Sequence, residues 1–281
     1  MCDARFIYKR RKEAVEARAG NIVTPGETLR MAIISSRLFF PFAALLALLA
    51  YAAQAGETIH SKPVGVVELF TSQGCSNCPK ADRAIERLAD RGDVITVAYH
   101  VDYWNYMGWQ DTLSAKENTE RQYGYAKTLG IRNVFTPQIV LNGMRNTKLT
   151  DPDRIVHELD GLKGTREGMP VAISAVLSPQ EMTISVEAGA VPGVEKADVV
   201  VAYFRKHSPV EIQKGENQGK TITYRNAVTK LETVGLWEGK SLTVKLPAVV
   251  LAKRGFDGCA ILLQAHDANG NPGRILGAAA L

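Results

Sequence analysis

Two cysteines separated by two residues are the part of this sequence best suited to chemistry. Cys75-Ser76-Asn77-Cys78 follows an apolar segment and is followed directly by Pro79. A pair with this spacing can form a disulfide and exchange it, with Cys75 as an exposed nucleophile and Cys78 as the resolving thiol. A purely structural disulfide is the alternative, and the pair alone does not decide between the two. The sequence contains no second Cys-x-x-Cys, which excludes a zinc site of four thiolates.

Two further features favour redox chemistry over a structural bridge. Glu68 is an acid in an otherwise apolar segment, where burial would raise its pKa and suit it to accept the proton of the ionising Cys78 thiol. Thr136 and Pro137 precede another apolar segment and form a candidate cis peptide bond, which in folded proteins marks a fixed turn. We therefore expect a thiol-disulfide oxidoreductase whose catalytic residues are Cys75, Cys78 and Glu68.

Aromatic residues are concentrated in one region after the cysteines. Seven of the ten Tyr and Trp residues that follow position 55 lie between Tyr99 and Tyr125. Aromatic rings with polar tips suit a recognition surface, so we expect Trp104 and Trp109 to line a substrate groove beside Cys75. The alternative is that these rings pack the region onto the core.

A metal site is the main competing interpretation of the same residues. His100 and Asp102 end a predicted strand, and His100 could join Cys75 and Cys78 to hold a soft ion such as Cu(I) or Zn. Otherwise His100 and Asp102 fix the strand end by hydrogen bonds. The alternative functions are therefore a copper or other soft-metal delivery protein, and a binding module with a structural disulfide. Cys259 lies in an apolar segment and is expected to be a small buried hydrophobe.

The elements expected to position these residues alternate between strand and helix up to about residue 162. The strands are indicated by apolar, β-branched runs, and the helices by apolar residues at helical spacing with Pro at the start and Gly at the end. The predicted order is strand 64–70, helix 79–91, strand 93–100, helix 112–129, a strand 138–143 that turns at Asn-Gly into a hairpin, and helix 151–162.

Residues 164–170, rich in Gly and Pro, are the predicted domain boundary. We expect residues 56–165 to form an α/β domain with an aromatic insert, and residues 166–281 to form an all-β sandwich of about seven strands. Period-two alternation indicates strands at 171–177, 182–187, 198–204, 221–226, 241–246 and 259–265.

Residues 1–55 are expected to be an export leader. Leu38–Ala53 contains sixteen residues without a charge, preceded by Arg37 and followed by an Ala-x-Ala site that ends at Ala55. Such a run is shorter than the roughly 20 residues that span a bilayer, although an uncleaved membrane anchor is the alternative. Cleavage would leave Gly56 as the first residue of a periplasmic or secreted protein, and Met31 is an alternative start of the leader.

The charge of the chain resides mainly in that leader. The full sequence has 281 residues and a net charge of +5, but residues 1–55 carry eight basic and four acidic side chains. The remainder is nearly neutral, which excludes an electrostatic footprint for nucleic acid and leaves membrane contact to the leader alone. A composition that is 46% hydrophobic and 22% charged excludes collagen, coiled coil and general disorder.

The order of elements around Cys75 and Cys78, with Thr136-Pro137 before a strand, resembles the thioredoxin superfamily. In that family the proline is cis and lies against the cysteine pair, and the residue before it offers its backbone to the substrate. The resemblance implies an α/β thioredoxin-like fold for residues 56–165 and these roles for Pro137 and Thr136. The polar pair between the cysteines and the aromatic insert depart from ordinary thioredoxins and leave the direction of the redox reaction open.

The chain resembles more closely an uncharacterised secreted bacterial family, domain of unknown function 1223. Residues 70–79 match its Phe-Thr-Ser-Gln-Gly-Cys-Ser-x-Cys-Pro stretch, and residues 100–104 match its His-Val-Asp-Tyr-Trp stretch. The resemblance covers residues 60–281. Together the two resemblances imply an extracytoplasmic oxidoreductase without a cofactor, whose partners are the thiols or disulfides of exported proteins and a redox partner protein.

Overall fold

The computed structural model describes residues 57–59, 62–248 and 255–281. The predicted leader, its cleavage site and the alternative start lie outside these residues. Within the described ranges, no helix is long and apolar enough to cross a membrane. The α-helices are α1 (Cys78–Arg91), α2 (Lys116–Thr128) and α3 (Pro152–Leu162), and Asn105–Met107 form a short 3₁₀ helix. The strands are β1 (Glu57–Ile59), β2 (Val66–Thr71), β3 (Ile95–His100), β4 (Gln138–Leu141), β5 (Arg145–Thr147), β6 (Ile173–Leu177), β7 (Glu181–Val186), β8 (Ala197–Glu211), β9 (Thr221–Trp237), β10 (Leu242–Pro247), β11 (Gly258–His266) and β12 (Pro272–Ala280).

Helix α1 begins and ends where local sequence signals favour it. Pro79 lies in the first turn, where a missing backbone N–H leaves no hydrogen bond unmade, and Gly92 follows the last turn with a left-handed φ of 77°. Ala81, Ile85 and Leu88 recur at helical spacing and are almost fully buried. The helix predicted at 79–91 is therefore confirmed to within one residue.

The strands form two sheets. An eight-stranded mixed sheet has the order β12-β11-β8-β9-β3-β2-β4-β5, and a four-stranded antiparallel sheet has the order β1-β6-β7-β10. In the large sheet β3 pairs in parallel with both β2 and β9, whereas β4 is antiparallel to β2. Asn142 and Gly143 have positive φ values of 48° and 67° between β4 and β5, which confirms the predicted hairpin.

Three clusters of buried side chains hold these layers together. The first lies between the two sheets and includes Ile184, Val201 and Ile261. The second lies between the large sheet and α2, and it contains Phe70 and Tyr125. The third packs α1 and α3 onto the other face of β2 and β4. Strand β2 is therefore covered by α2 on one face and by α1 and α3 on the other.

The predicted domain boundary lies in the connection between α3 and β6. Strand β9, which follows this boundary, pairs with β3, which precedes it, so the two sides share one sheet. Residues 57–281 form one compact unit. Strands β8 and β9 are 15 and 17 residues long, far longer than the strands predicted at 198–204 and 221–226. They extend this far because they pair with each other, from Ala197 opposite Trp237 to Glu211 opposite Thr221.

Candidate functional site

Cys75 and Cys78 form a disulfide at the start of α1, with their Cα atoms 5.4 Å apart. Cys78 is the first residue of the helix, where unpaired backbone N–H groups and the helix dipole stabilise a thiolate. The two cysteines are only 1% and 0% exposed, whereas Ser76 and Asn77 between them are exposed. Cys75, which the sequence interpretation expected to be an exposed nucleophile, is thus buried in the disulfide form.

A loop of residues 212–220, called here the cover loop, joins β8 to β9 and contacts the backbone of the chain at Cys75. Asn217 in this loop is fully buried. Its side-chain N–H groups donate 2.8 Å hydrogen bonds to the carbonyl oxygens of Gln73 and Cys75. A polar side chain thus satisfies two carbonyls beside the disulfide and holds the cover loop against them.

Two charged residues of the cover loop add to this contact. The Ser76 backbone N–H donates a 3.2 Å hydrogen bond to the Glu216 carboxylate. Lys220 Nζ donates to the Asn217 side-chain carbonyl at 2.8 Å. Side chains of the cover loop therefore contact the backbone of the Cys-x-x-Cys segment. The Ser76 and Asn77 side chains remain exposed.

Gln73 connects the cysteine segment to the aromatic insert. Its side chain is fully buried, and its Oε1 accepts hydrogen bonds from Trp109 Nε1 at 2.9 Å and from the Thr112 N–H at 3.2 Å. Its backbone N–H donates to Asp111 Oδ2 at 2.8 Å. These bonds fix the chain two residues before Cys75, so the insert positions the disulfide as well as lying near it.

Trp104 links the cysteine segment to the proline turn. Its Nε1 donates a 2.8 Å hydrogen bond to Thr136 Oγ1, and the Thr136–Pro137 peptide bond is cis, as predicted. Trp104 also lies against Gly74, since a Cβ added at this glycine would stand 3.3 Å from the Trp104 Cβ. The structure thus brings Cys75, Trp104, Thr136 and Pro137 into one neighbourhood.

The aromatic insert contains rings that pack into the core as well as rings that lie near the disulfide. Tyr99 and Tyr125 are fully buried and pack around Phe70, which is the core-packing alternative. Trp104 and Trp109 are half-buried near the disulfide, and their N–H groups bond to Thr136 and Gln73. The remaining rings follow a gradient, from the half-buried Tyr103 to Tyr123 and Tyr106, which are 48% and 82% exposed.

Glu68 lies on the face of β2 that is turned away from α1. Side chains alternate along a strand, so Glu68 shares its face with Val66 and points toward α2. Arg121 donates to Glu68 Oε1 through Nε at 3.0 Å and Nη2 at 2.6 Å, and the Tyr125 hydroxyl donates to Oε2. Glu68 is therefore the buried partner of Arg121, and the structure does not bring it to Cys78.

Asp82 is the buried acid on the α1 face. It follows Cys78 by four residues, and therefore lies about one helical turn along the same side of α1. Thr71 Oγ1 donates to its Oδ1 at 2.8 Å, while Oδ2 has no hydrogen-bond partner among the described residues. Desolvation raises the pKa of Asp82 from 3.8 to about 7, although His100 and the Thr71 hydroxyl act in the opposite direction. This carboxyl can therefore gain or lose a proton near neutral pH.

His100, whose charge acts on Asp82, is bound by Asp111. Its Nδ1 lies 2.8 Å from Asp111 Oδ2, and both side chains are fully buried. The His100 ring stands edge-on to Tyr224, with centroids 4.6 Å apart. Asp102 instead accepts a 2.6 Å hydrogen bond from Thr119. Both residues are thus hydrogen-bonded at the end of β3, as the non-metal alternative expected.

The metal interpretation finds no geometric support in the part of the chain that the structure describes. No group of three His, Cys, Asp or Glu side chains within it is arranged to hold a metal ion. Cys75 and Cys78 are bonded to each other, and the Nδ1 atom of His100 is engaged with Asp111.

Comparison with known proteins identifies a family. The family described as "Protein of unknown function (DUF1223)" matches residues 66–264. The chain belongs to the DUF1223 family. A protein from Agrobacterium tumefaciens, known from an X-ray crystal structure, is 47% identical in sequence to this chain. The two structures match with a TM-score of 0.71, over 79% of this chain and 95% of that chain. The comparison with curated proteins gave no significant match.

A more distant likeness concerns the fold alone. HBP35 of Porphyromonas gingivalis is 18% identical with a TM-score of 0.56, and the match covers 79% of this chain and 75% of that chain. The closer resemblance inferred from residues 70–79 and 100–104 is thus confirmed by the DUF1223 match.

Several residues that shape this DUF1223 site were missed by the sequence interpretation. Asp82 had a usable signal, since it is an acid four residues after Cys78 on a helix that is otherwise apolar on that side. Gln73 and Asp111 lie in polar loops, where the sequence gives no signal that marks them as site residues. Asn217 is 142 residues from Cys75, and only the pairing of β9 with β3 brings it there.

Proposed function

We propose that this protein is an extracytoplasmic thiol-disulfide oxidoreductase acting on exported proteins. The observation that carries the proposal is the Cys75–Cys78 disulfide at the start of α1 with the buried, protonatable Asp82 one turn further on. A static bridge needs no such acid, and burying a carboxyl without a full set of hydrogen bonds is unfavourable. Perturbed carboxyl groups beside a reactive pair are typical of functional sites.

The reaction exchanges one disulfide for another. A substrate thiolate attacks the Cys75 sulfur, the bond to Cys78 breaks, and Cys78 leaves as a thiolate while the substrate is held on Cys75 as a mixed disulfide. A second substrate thiolate then attacks the substrate sulfur of that bond, so that the substrate disulfide forms and Cys75 leaves as a thiolate. Two electrons pass from the substrate to the cysteine pair. The reverse sequence reduces a substrate disulfide, and the partners' potentials set the direction.

Asp82 is the proposed proton donor and acceptor for Cys78. A neutral carboxyl can protonate the Cys78 thiolate when it leaves, and the resulting carboxylate can take the proton back when Cys78 attacks. A pKa of about 7 suits both steps near neutral pH. Asp82 takes the role that the sequence interpretation gave to Glu68, which is occupied by Arg121 on the other face of β2.

The substrate surface is proposed to lie beside the cis proline. Thr136 and Pro137 would offer backbone to an extended substrate segment, and Trp104, bonded to Thr136 and packed on Gly74, would contact the residues flanking the substrate cysteine. Trp109 would act through Gln73, to which it donates a hydrogen bond.

The finer description of the fold is part of the proposal. Residues 66–162 would be a thioredoxin-like unit, supported by the order β2-α1-β3, the cis proline before β4, the β4–β5 hairpin and α3. The seven strands β6–β12 would be a β sandwich built around the core between the two sheets.

Export through a cleaved leader is also proposed, on the charge and hydropathy of residues 1–55. N-terminal sequencing of protein secreted by a bacterial host should find Gly56 as the first residue. A first residue of Met1 or Met31 would contradict cleavage.

Trapping of substrates tests the proposed function. A Cys78→Ala variant cannot resolve the mixed disulfide, so it should accumulate exported proteins as adducts that dithiothreitol releases. A Cys75→Ala variant should trap none. Cys259→Ala provides the matched control, because Cys259 is buried in the core between the sheets and should leave trapping unchanged.

Alkylation of the reduced protein distinguishes an enzyme from a structural bridge. One thiol of the pair should react with iodoacetamide with a pKa well below the ordinary value of about 8.5. Two unshifted thiols, together with no adducts from the Cys78→Ala variant, would show that the disulfide is only structural.

A further inference from the structure

Three of the eight residues that line a cleft beside the disulfide carry a positive charge. The cleft has a volume of about 540 Å³ and lies between the first turns of α1 and the start of β9. Its charged lining residues are Lys80 and Arg83 from α1 and Lys220 from the cover loop, and no acidic residue lines it. Ser76 and Asn77, which separate the two cysteines, form its inner wall.

These cations are available to a ligand. Lys80, Arg83 and Lys220 are all exposed, and within the described residues neither Lys80 nor Arg83 makes an ion pair or hydrogen bond. The single hydrogen bond of Lys220 goes to the neutral Asn217 side chain. The start of α1 adds the positive end of its helix dipole. An otherwise nearly neutral protein therefore concentrates positive charge next to its reactive bond.

A carboxylate is already bound to Ser76, one of the residues that line this cleft. Glu216 of the cover loop accepts a 3.2 Å hydrogen bond from the Ser76 backbone N–H. The backbone of the segment between the cysteines therefore accommodates a negative side chain of this chain.

We propose that this cleft binds an acidic segment of the substrate polypeptide, adjacent to the cysteine that reacts with Cys75. The proposal rests on the proposed oxidoreductase function and names the class of substrate. Opposite charges would speed the encounter and fix the orientation of the segment. Cys75 lies against Cys78, with the two Cα atoms 5.4 Å apart, and Arg83 follows Cys78 by five residues, about 7.5 Å along the helix axis. Two to three extended residues span a distance of this order. The acidic residues should therefore lie two or three positions from the substrate cysteine.

Matched peptides test the inference on the oxidised full chain. Three peptides would carry one cysteine each, with Asp and Glu, Asn and Gln, or Lys at the second and third positions from it. The rate of mixed-disulfide formation is followed by mass spectrometry at low and high salt. We expect the acidic peptide to react five- to tenfold faster than its amide counterpart at low salt, and high salt to remove most of that ratio.

Variants locate the effect. Lys80→Gln combined with Arg83→Gln should bring the acidic-to-amide ratio to about one. Lys127→Gln combined with Lys240→Gln removes the same charge at exposed positions that do not line the cleft, and should retain the ratio.

The possible failures are distinguishable. Equal rates for the acidic and amide peptides would overturn the cleft inference and leave the oxidoreductase intact. An equal loss of the ratio in both double variants would assign it to overall charge and also overturn the inference. Failure of all three peptides and of dithiothreitol to open the disulfide would overturn the function itself.

Discussion

At the level of single residues, Asp82 couples the redox state of the cysteine pair to pH. The disulfide is uncharged, whereas reduction creates a thiolate at Cys78, four residues away on the same helix. A negative neighbour makes a carboxylate less favourable, so reduction should raise the pKa of Asp82 further. Proton uptake by the Asp82–Cys78 pair and electron uptake by the cysteines therefore favour each other, and within the pair Asp82 can pass the proton to Cys78.

The protonation of Asp82 also determines how stability depends on pH. Its pKa is about 7 in the folded protein against 3.8 ordinarily, so the folded state holds more protons between about pH 4 and 7. The free energy of unfolding therefore falls as the pH rises through this window. Because a tenfold change in an acid constant is worth about 1.4 kcal/mol, Asp82→Asn should stabilise the protein by about 2–4 kcal/mol at pH 8 and have little effect at pH 4. Denaturant unfolding at the two pH values measures this.

An exposed acid gives the control for this measurement. Asp153 in α3 is exposed, and Asp153→Asn should change stability by less than about 0.5 kcal/mol at either pH. An Asp82→Asn variant whose stabilisation is the same at pH 4 and pH 8 would contradict the assignment of a raised pKa.

The contrast between Glu68 and Asp82 defines what the sequence could reveal about the site. The need for a buried acid could be read from the residues, and Glu68 is indeed fully buried. The alternation along β2 does not reveal which of its two faces α1 covers. It therefore could not show that Glu68 lies on the face away from Cys78. Cys75, Cys78, Thr136 and Trp104 could be identified because each carries a local signature, and contacts such as that of Asn217 could not.

At the level of elements, the β8–β9 hairpin has two roles. Its strand β9 pairs with β3 and so connects the two parts of the large sheet. The turn between β8 and β9 is the cover loop, which contacts the chain beside the disulfide. The alternation predicted only the apolar part of β8, because Arg205, Lys206 and His207 are exposed and Pro209 is unusual in a strand. The polar half is held by pairing with β9, so its sequence need not show a buried face.

Weakening the cover loop should make the disulfide easier to reduce. Asn217→Ala removes two hydrogen bonds to the carbonyls beside Cys75, each worth about 1 kcal/mol, so the loop should open more often. We expect the rate of reduction by dithiothreitol to rise about five- to thirtyfold. Gln218→Ala, an exposed position in the same loop, should leave that rate unchanged. A rate unaffected by Asn217→Ala would mean that opening of the cover loop does not limit access.

At the level of the whole molecule, the predicted halves depend on one another. The core beside α2 contains Phe70, Tyr99 and Tyr125 from before the predicted boundary, together with Val200 and Leu262 from after it. The sheet, the core and the covered disulfide are therefore properties of residues 57–281 together.

A fragment of residues 57–165 should consequently fail to fold on its own. It would expose the β3 edge that β9 covers and lose one side of the core beside α2. We expect the fragment to lack a cooperative unfolding transition by near-ultraviolet circular dichroism, while residues 57–281 unfold in a single transition. Cooperative unfolding of the fragment would show instead that the first half is an autonomous domain.

The distance along the chain between the cysteines and their cover has a consequence for biosynthesis. Asn217 is made 142 residues after Cys75. At about 5–20 residues per second, the cysteine pair waits roughly 7 to 28 seconds before the loop that will bury it exists. During this interval the cover loop cannot protect the new thiols, so a disulfide formed before the chain is complete would precede closure of the hairpin.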